Sequence, residues 1–165
     1  MIVVVMGVSG CGKTTIGRAL ADAAGWPYLD ADDFHPAANV AKMRAGVPLT
    51  DDDRRPWLDR LTAEMTAINA RGDHAVLGCS ALKQAYRDRL ARAGDVRIVY
   101  LKGDRATIEP RLAARAGHYM PASLLASQLA ALEEPANAVV VDIRLSATEQ
   151  VAAIRDALNI ATPTP

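Results

Sequence analysis

The 165-residue sequence has no net charge to work with: nineteen Lys and Arg balance nineteen Asp and Glu, and the pI is near 6.8. A neutral surface offers no field that would gather nucleic acid or an anionic membrane, so an anionic ligand must be held by a local site. Long hydrophobic runs are missing too. The apolar start Ile2–Met6 is five residues long, runs straight into glycines and has no basic segment before it, so neither a signal-peptide core nor a membrane span is expected there. Cysteine is scarce. Cys11 and Cys79 lie far apart, and the pair reads as reduced thiols of a cytoplasmic protein rather than a disulfide framework or a metal cluster. Repeats and low-complexity stretches are absent, and only the tail 161–165, with two of its five residues proline, reads as disordered. What is left, half hydrophobic and 23% charged, is the composition of one globular domain over residues 1–160.

Short apolar runs alternate with longer helix-like segments. Strands are expected at Ile2–Met6, Pro27–Asp30, Ala75–Cys79, Arg97–Leu101 and Ala138–Asp142. Four of these are continuous Val/Ile/Leu runs, the pattern of strands covered on both faces. Crossover helices are expected at Lys13–Ala24, Arg55–Arg71, Lys83–Ala93 and Arg105–Ala116, with a last helix at Thr148–Leu158. This alternation implies an α/β fold: a parallel sheet with helices on both faces and ligands at the carboxyl ends of the strands. Two excursions break the alternation, Asp32 to Trp57 and Arg111 to Pro135. Long segments leaving the strand ends of such a sheet serve as lids or substrate-binding pieces, and residues 111–135 are read as a helical lid.

The strongest local signal is Gly7-Val-Ser-Gly-Cys-Gly-Lys13-Thr14, which fits G-x-x-x-x-G-K-[ST]. Its glycines allow backbone angles closed to other residues, so successive N–H groups can point at phosphate oxygens. Lys13 sets a compact cation on the β- and γ-phosphates. The Thr14 hydroxyl suits Mg²⁺, and the helix that follows turns its positive end toward the anion. With 11 Gly and 4 Lys in the chain, chance gives such a match on the order of once in several hundred sequences of this composition. The expected nucleotide contacts are Gly7, Ser9, Gly10, Cys11, Gly12, Lys13, Thr14 and Thr15, with Cys11 a small spacer and not a nucleophile. The loop alone does not separate kinases from GTPases, motor ATPases or inactive binders. However, no base-reading Asn-Lys-x-Asp run is present, and the third strand ends in Gly78-Cys79-Ser80 with no carboxylate.

Several ordered stretches narrow this further: Leu29-Asp-Ala-Asp-Asp-Phe-His-Pro36, Asn39-Val-Ala-Lys-Met43, Gly46-Val-Pro-Leu-Thr-Asp-Asp-Asp-Arg-Arg-Pro-Trp-Leu58, Cys79-Ser-Ala-Leu-Lys-Gln-Ala-Tyr-Arg-Asp88, Tyr100-Leu-Lys-Gly-Asp104, Arg111-Leu-Ala-Ala-Arg-Ala-Gly-His118 and Leu132-Glu-Glu-Pro135. Together with the phosphate loop they resemble the gluconate kinase family over nearly the whole chain up to Asp142. The resemblance implies a five-stranded parallel sheet of the P-loop, nucleoside-monophosphate-kinase-like type, related in fold to shikimate kinase. It also implies ATP and Mg²⁺ as cofactors, gluconate as acceptor at its 6-hydroxyl, and a homodimer. A kinase of another acid or polyol, such as shikimate, and a catalytically silent ATP-binding regulator stand as the alternatives.

Phosphoryl transfer to an alcohol needs positioning, charge neutralisation and a place for the hydroxyl proton. Asp30 and Asp32 end the second strand on one side of an extended chain. Asp32 is assigned to the acceptor hydroxyl as base, Asp30 to Mg²⁺ or its waters, and Asp33 to helix capping or solvent. Gluconate, a polyol with a carboxylate, needs donors and a fixed cation, which His35, Lys42, Arg54, Ser80 and Lys83 offer as a group. Arg111 and Arg115 lie four apart on one helix face, so that one can stack on adenine while the other meets phosphate charge in the transition state. His118 and Gln128 are read as lid or substrate contacts, and Asp51–Asp53 as a loop-to-helix start and not a metal site.

Overall fold

A computed structural model describes residues 1–114 and 122–161. Five parallel strands, β1 (Ile2–Met6), β2 (Tyr28–Asp30), β3 (Ala75–Gly78), β4 (Val96–Lys102) and β5 (Val139–Asp142), form one sheet in the order β2-β3-β1-β4-β5. The helices are α1 (Lys13–Ala24), α2 (Ala37–Arg44), α3 (Asp51–Ala70), α4 (Gln84–Ala91), α5 (Arg105–Ala113), α6 (Ala122–Ala131) and α7 (Ala147–Leu158). Strand β1 is apolar throughout because both faces are covered. Val3 and Val5 join the layer formed with Ile16, Leu20 and Ile154 of α1 and α7, while Ile2, Val4 and Met6 pack on Trp57, Leu61, Met65 and Leu90 of α3 and α4. Chain order reverses around β1, so its carboxyl end opens onto the crevice where α/β sheets bind ligands. Among the described residues, no helix is long and apolar enough to cross a membrane.

Most boundaries shift from the sequence expectation by one to three residues, and two differences bear on the site. Helix α3 begins at Asp51, not Arg55, because Thr50 caps it: the Thr50 hydroxyl accepts from the Asp53 N–H, and the Asp53 carboxylate takes the Thr50 N–H in return. Asp51–Asp53 is therefore the first turn of a helix, and Pro56 sits inside it. In addition, the chain does not stay extended through Asp32. Residues Ala31–Phe34 form a 3-10 turn capped by Asp30, whose Oδ1 accepts the Asp32 N–H at 3.1 Å. The alternation argument that put Asp30 and Asp32 on one side ends with the strand. Capping falls to Asp30, and Asp33 faces solvent.

Candidate active site

The phosphate loop leaves β1 through Gly7, Gly10 and Gly12, with φ of 145°, 84° and 103°, angles that L side chains adopt only under strain. A Cβ on Gly7 would meet the Cys11 sulfur at 2.8 Å, so the small Cys11 fits where the loop folds on itself. Gly12 caps α1 without a side-chain hydrogen bond, and the first turn holds no acidic residue. The helix start thus keeps its N–H groups and positive end for an anion, which fits a nucleotide triphosphate. The Lys13 ammonium donates to the carbonyls of Gly7 and Val8 at 3.0 and 3.1 Å, which curls it over the loop. Burial pushes the thiol of Cys11 up and that of Cys79 to about 12, so neither is an activated nucleophile.

A cavity of about 270 Å³ adjoins the loop, between α1, α5 and the turn after β5. Gly12, Thr15 and Ile16 line one side, and Arg111, Ile143 and Leu145 the other. Arg111 donates to the Ile143 carbonyl at 2.7 Å, which sets its guanidinium as a wall beside the loop, where the sequence reading wanted a cation for the nucleotide. Arg115 and His118 lie outside the described residues. Gln128, read from sequence as a lid or substrate contact, reaches Ser9: its Oε1 accepts the Ser9 N–H at 2.7 Å and its Nε2 donates to the Ser9 hydroxyl at 3.1 Å. This two-point clamp ties α6 to the phosphate loop.

Asp30 ends β2 beside Gly78 of β3, and Tyr28 lies between α1 and β3. The Tyr28 hydroxyl is 3.5 Å from Asp30 Oδ2, and its pKa is pushed up by burial and then by Asp30, while the Thr14 hydroxyl pulls it back. Thr14, Tyr28 and Asp30 therefore share one polar corner. No group of three or more His, Cys, Asp or Glu gathers anywhere among the described residues. One hydroxyl and one carboxylate in this corner are donors that suit a hard cation taking its other ligands from phosphate and water.

The Asp32 carboxylate is 87% exposed at the mouth of the crevice, 4.0 Å from Nε2 of His35. The surrounding wall takes some water from it and raises its pKa, Asp30 adds to the rise, and His35 and Lys13 oppose it. His35 is held behind Asp32, 5% exposed, its ring stacked on Trp57 at 4.4 Å and its Nδ1 3.4 Å from the Asn39 amide nitrogen. Burial and the nearby Arg54 lower its pKa, although Asp32 works against them. Trp57 also donates to the Ala31 carbonyl at 2.7 Å, which pins the turn that carries Asp32.

Of the remaining sequence candidates, Lys42, Arg54 and Lys83 are already paired. Lys42 bonds Asp53 at 2.6 Å, and Arg54 donates to the Leu49 carbonyl. Lys83 bonds both oxygens of Asp51, at 3.0 and 2.7 Å. Ser80 is half-buried just after β3 and precedes Ala81, whose φ of 43° is unusual for a residue with a side chain. That bend is braced by Arg87, a buried guanidinium that donates to the carbonyls of Ala81, Leu82 and Glu133. Sequence reasoning missed Tyr28, Trp57 and Arg87 as shapers of the site. All three stand in or beside the ordered stretches, but only burial marks them out.

Comparison with known proteins agrees with this geometry. The family described as an AAA domain matches residues 2–135. A gluconokinase of Gluconobacter oxydans is 52% identical over 138 residues, covering 80% of this chain and 75% of that one. Among solved structures, a sugar kinase from Janibacter sp. superposes with a TM-score of 0.89 at 45% identity, covering 97% of this chain and 95% of that one. A gluconokinase from Sinorhizobium meliloti does so at 0.83 and 41%, covering 95% and 90%. Shikimate kinase from Aquifex aeolicus, 14% identical with a TM-score of 0.62, shares the fold alone. A parallel sheet with the phosphate loop at its switch point, and relatives this similar over most of their length, place the chain in the gluconokinase family of ATP-using P-loop kinases.

Proposed function

We propose that this chain is a gluconokinase that transfers the γ-phosphate of ATP to the 6-hydroxyl of D-gluconate, giving 6-phospho-D-gluconate and ADP, in gluconate catabolism. The observation that carries the reading is the open Asp32 carboxylate at the sheet's carboxyl edge, within electrostatic reach of Lys13 and backed by His35. The loop N–H groups and Lys13 hold the β- and γ-phosphates, and Arg111 lines the nucleotide side. Asp32 accepts the proton of the 6-hydroxyl as its oxygen bonds to the γ-phosphorus, and the bond to the bridging oxygen breaks to release ADP. Mg²⁺, held by the Thr14 hydroxyl and Asp30 with phosphate and water oxygens, would supply charge neutralisation on the triphosphate. Arg115 is assigned to transition-state charge, and residues 111–135 to a lid that keeps water from the transfer.

His118 and Gln128 complete the lid side in this reading, and His35, Lys42, Arg54, Ser80 and Lys83 the acceptor side. The family resemblance also supports a homodimer in the cytoplasm, for which light scattering on the purified protein is the direct check. The function itself is tested by coupled ADP release with gluconate, shikimate and nucleoside monophosphates as acceptors. Stimulation by gluconate alone is expected. Stimulation only by another acceptor would replace gluconate, and none by any acceptor would leave a silent ATP-binding protein.

A further inference from the structure

Asp51 is the first residue of α3, yet its carboxylate does nothing for that helix's cap, which Thr50 and Asp53 complete between themselves. It turns instead to the start of α4. There it accepts two hydrogen bonds from the Lys83 ammonium and one from the Tyr86 hydroxyl, and Arg54 Nη1 stands 3.8 Å away. The centre of the Tyr86 ring is 5.9 Å from the Arg54 guanidinium carbon and 5.7 Å from the Lys83 nitrogen. An ammonium, a phenol and a guanidinium from two elements thus converge on one carboxylate. Two positive charges face one negative one, so the cluster keeps a surplus of one. It is half open to water, and it continues the line that runs from Lys13 through Asp32 and His35 to Arg54, whose charge acts on His35.

We propose that Arg54, Lys83 and Tyr86 form the subsite for the carboxylate end of the acceptor, and that Asp51 is an internal carboxylate which the acceptor's own carboxylate displaces. This deepens the gluconokinase reading and rests on it. An acyclic aldonate then lies along the crevice with its terminal hydroxyl at Asp32 and its acid end at the cluster. Discrimination between the acid and the neutral polyol of the same length arises there, because a neutral chain offers nothing to replace Asp51.

Asp51 also lowers affinity for the acid, since it must leave its donors before the acid can bind. Asp51→Asn keeps the shape, leaves the Thr50–Asp53 cap intact and removes the competing charge. It should lower the gluconate KM about three- to tenfold, the scale of one partly screened charge. Lys83→Met should raise that KM at least as much, with the KM for ATP unchanged in both variants. Glucitol, the neutral polyol, serves as the competitive probe, and its inhibition constant should move less than twofold in either variant. A gluconate KM that rises or stays level in Asp51→Asn would overturn the displacement, and a glucitol constant that follows gluconate would overturn the carboxylate subsite. Wild-type protein turning over no gluconate would instead sink the functional reading itself. Melting temperature is read on both variants, and Lys83→Gln replaces Lys83→Met if the latter does not fold.

Discussion

Asp32→Asn separates chemistry from folding more cleanly than any other change in this chain. The side chain is 87% exposed, and the His35 ring 4.0 Å away is hard to protonate, so the fold leans on it very little. Its neighbours Asp30 and Asp33 repel it, and asparagine keeps the shape while removing that repulsion. Stability should therefore change by less than about 0.5 kcal/mol, a shift of about 2 °C or less in melting temperature for a chain of this size. Turnover should behave quite differently. A positioned base contributes about 10²- to 10⁴-fold, or about 3 to 5 kcal/mol of barrier, and the amide cannot take a proton. Affinity for ATP should stay within about threefold, because the loop N–H groups and Lys13 do not depend on Asp32. Coupled ADP release gives kcat, titration calorimetry with a non-hydrolysable ATP analogue gives binding, and scanning calorimetry gives stability. The acid limb of the wild-type pH profile should lie above the ordinary carboxylate value of 3.8, since the unprotonated form is the active one and its pKa is raised. Turnover within tenfold of wild type would refute the assignment. Parallel loss of ATP binding would move Asp32 onto the metal.

Gly78→Ala would bring a Cβ to 2.3 Å from the Tyr28 hydroxyl, costing about 1–3 kcal/mol in denaturant melts, and adding Tyr28→Phe should recover part of that loss. Arg87→Met takes a charged donor from the carbonyls of Ala81 and Glu133, so a loss of about 3 kcal/mol is expected, with a higher KM for gluconate as the bend at Ala81 relaxes. His35 is harder to protonate in the folded chain than in the unfolded one, so protons favour unfolding as pH falls through 6.5. Melting temperature should drop across that window in wild type and level off in His35→Phe, whereas an identical slope in both would put the sensitivity elsewhere. Lys13→Ala should weaken nucleotide binding and turnover together, measured by the same calorimetry and coupled assay.

The segment from β1 through the phosphate loop to α1 was legible from sequence to the residue, at Ile2–Met6 and Lys13–Ala24. Its geometry is set by neighbours along the chain: glycines that open left-handed angles, a buried strand before them and a helix after. The same local reasoning located the other strands to within a residue or two, and the order of the motifs named the family. It stopped where the partner is distant in sequence. The periodicity of Pro27–Asp30 said nothing of the turn that follows, where Asp30 caps Asp32 and Trp57 holds Ala31. The Thr50 cap was missed because its partner is Asp53, outside the usual Glu/Gln pattern. Gln128 meets Ser9 across 119 residues and Lys83 meets Asp51 across 32, contacts that exist only because the sheet order brings those loops to one edge. The residues of the phosphate cradle were thus determined by sequence alone, since short-range backbone geometry makes it. Which carboxylate stands open, which histidine is buried and which cations share an anion were decided by tertiary structure, because burial and pairing depend on what the fold brings together.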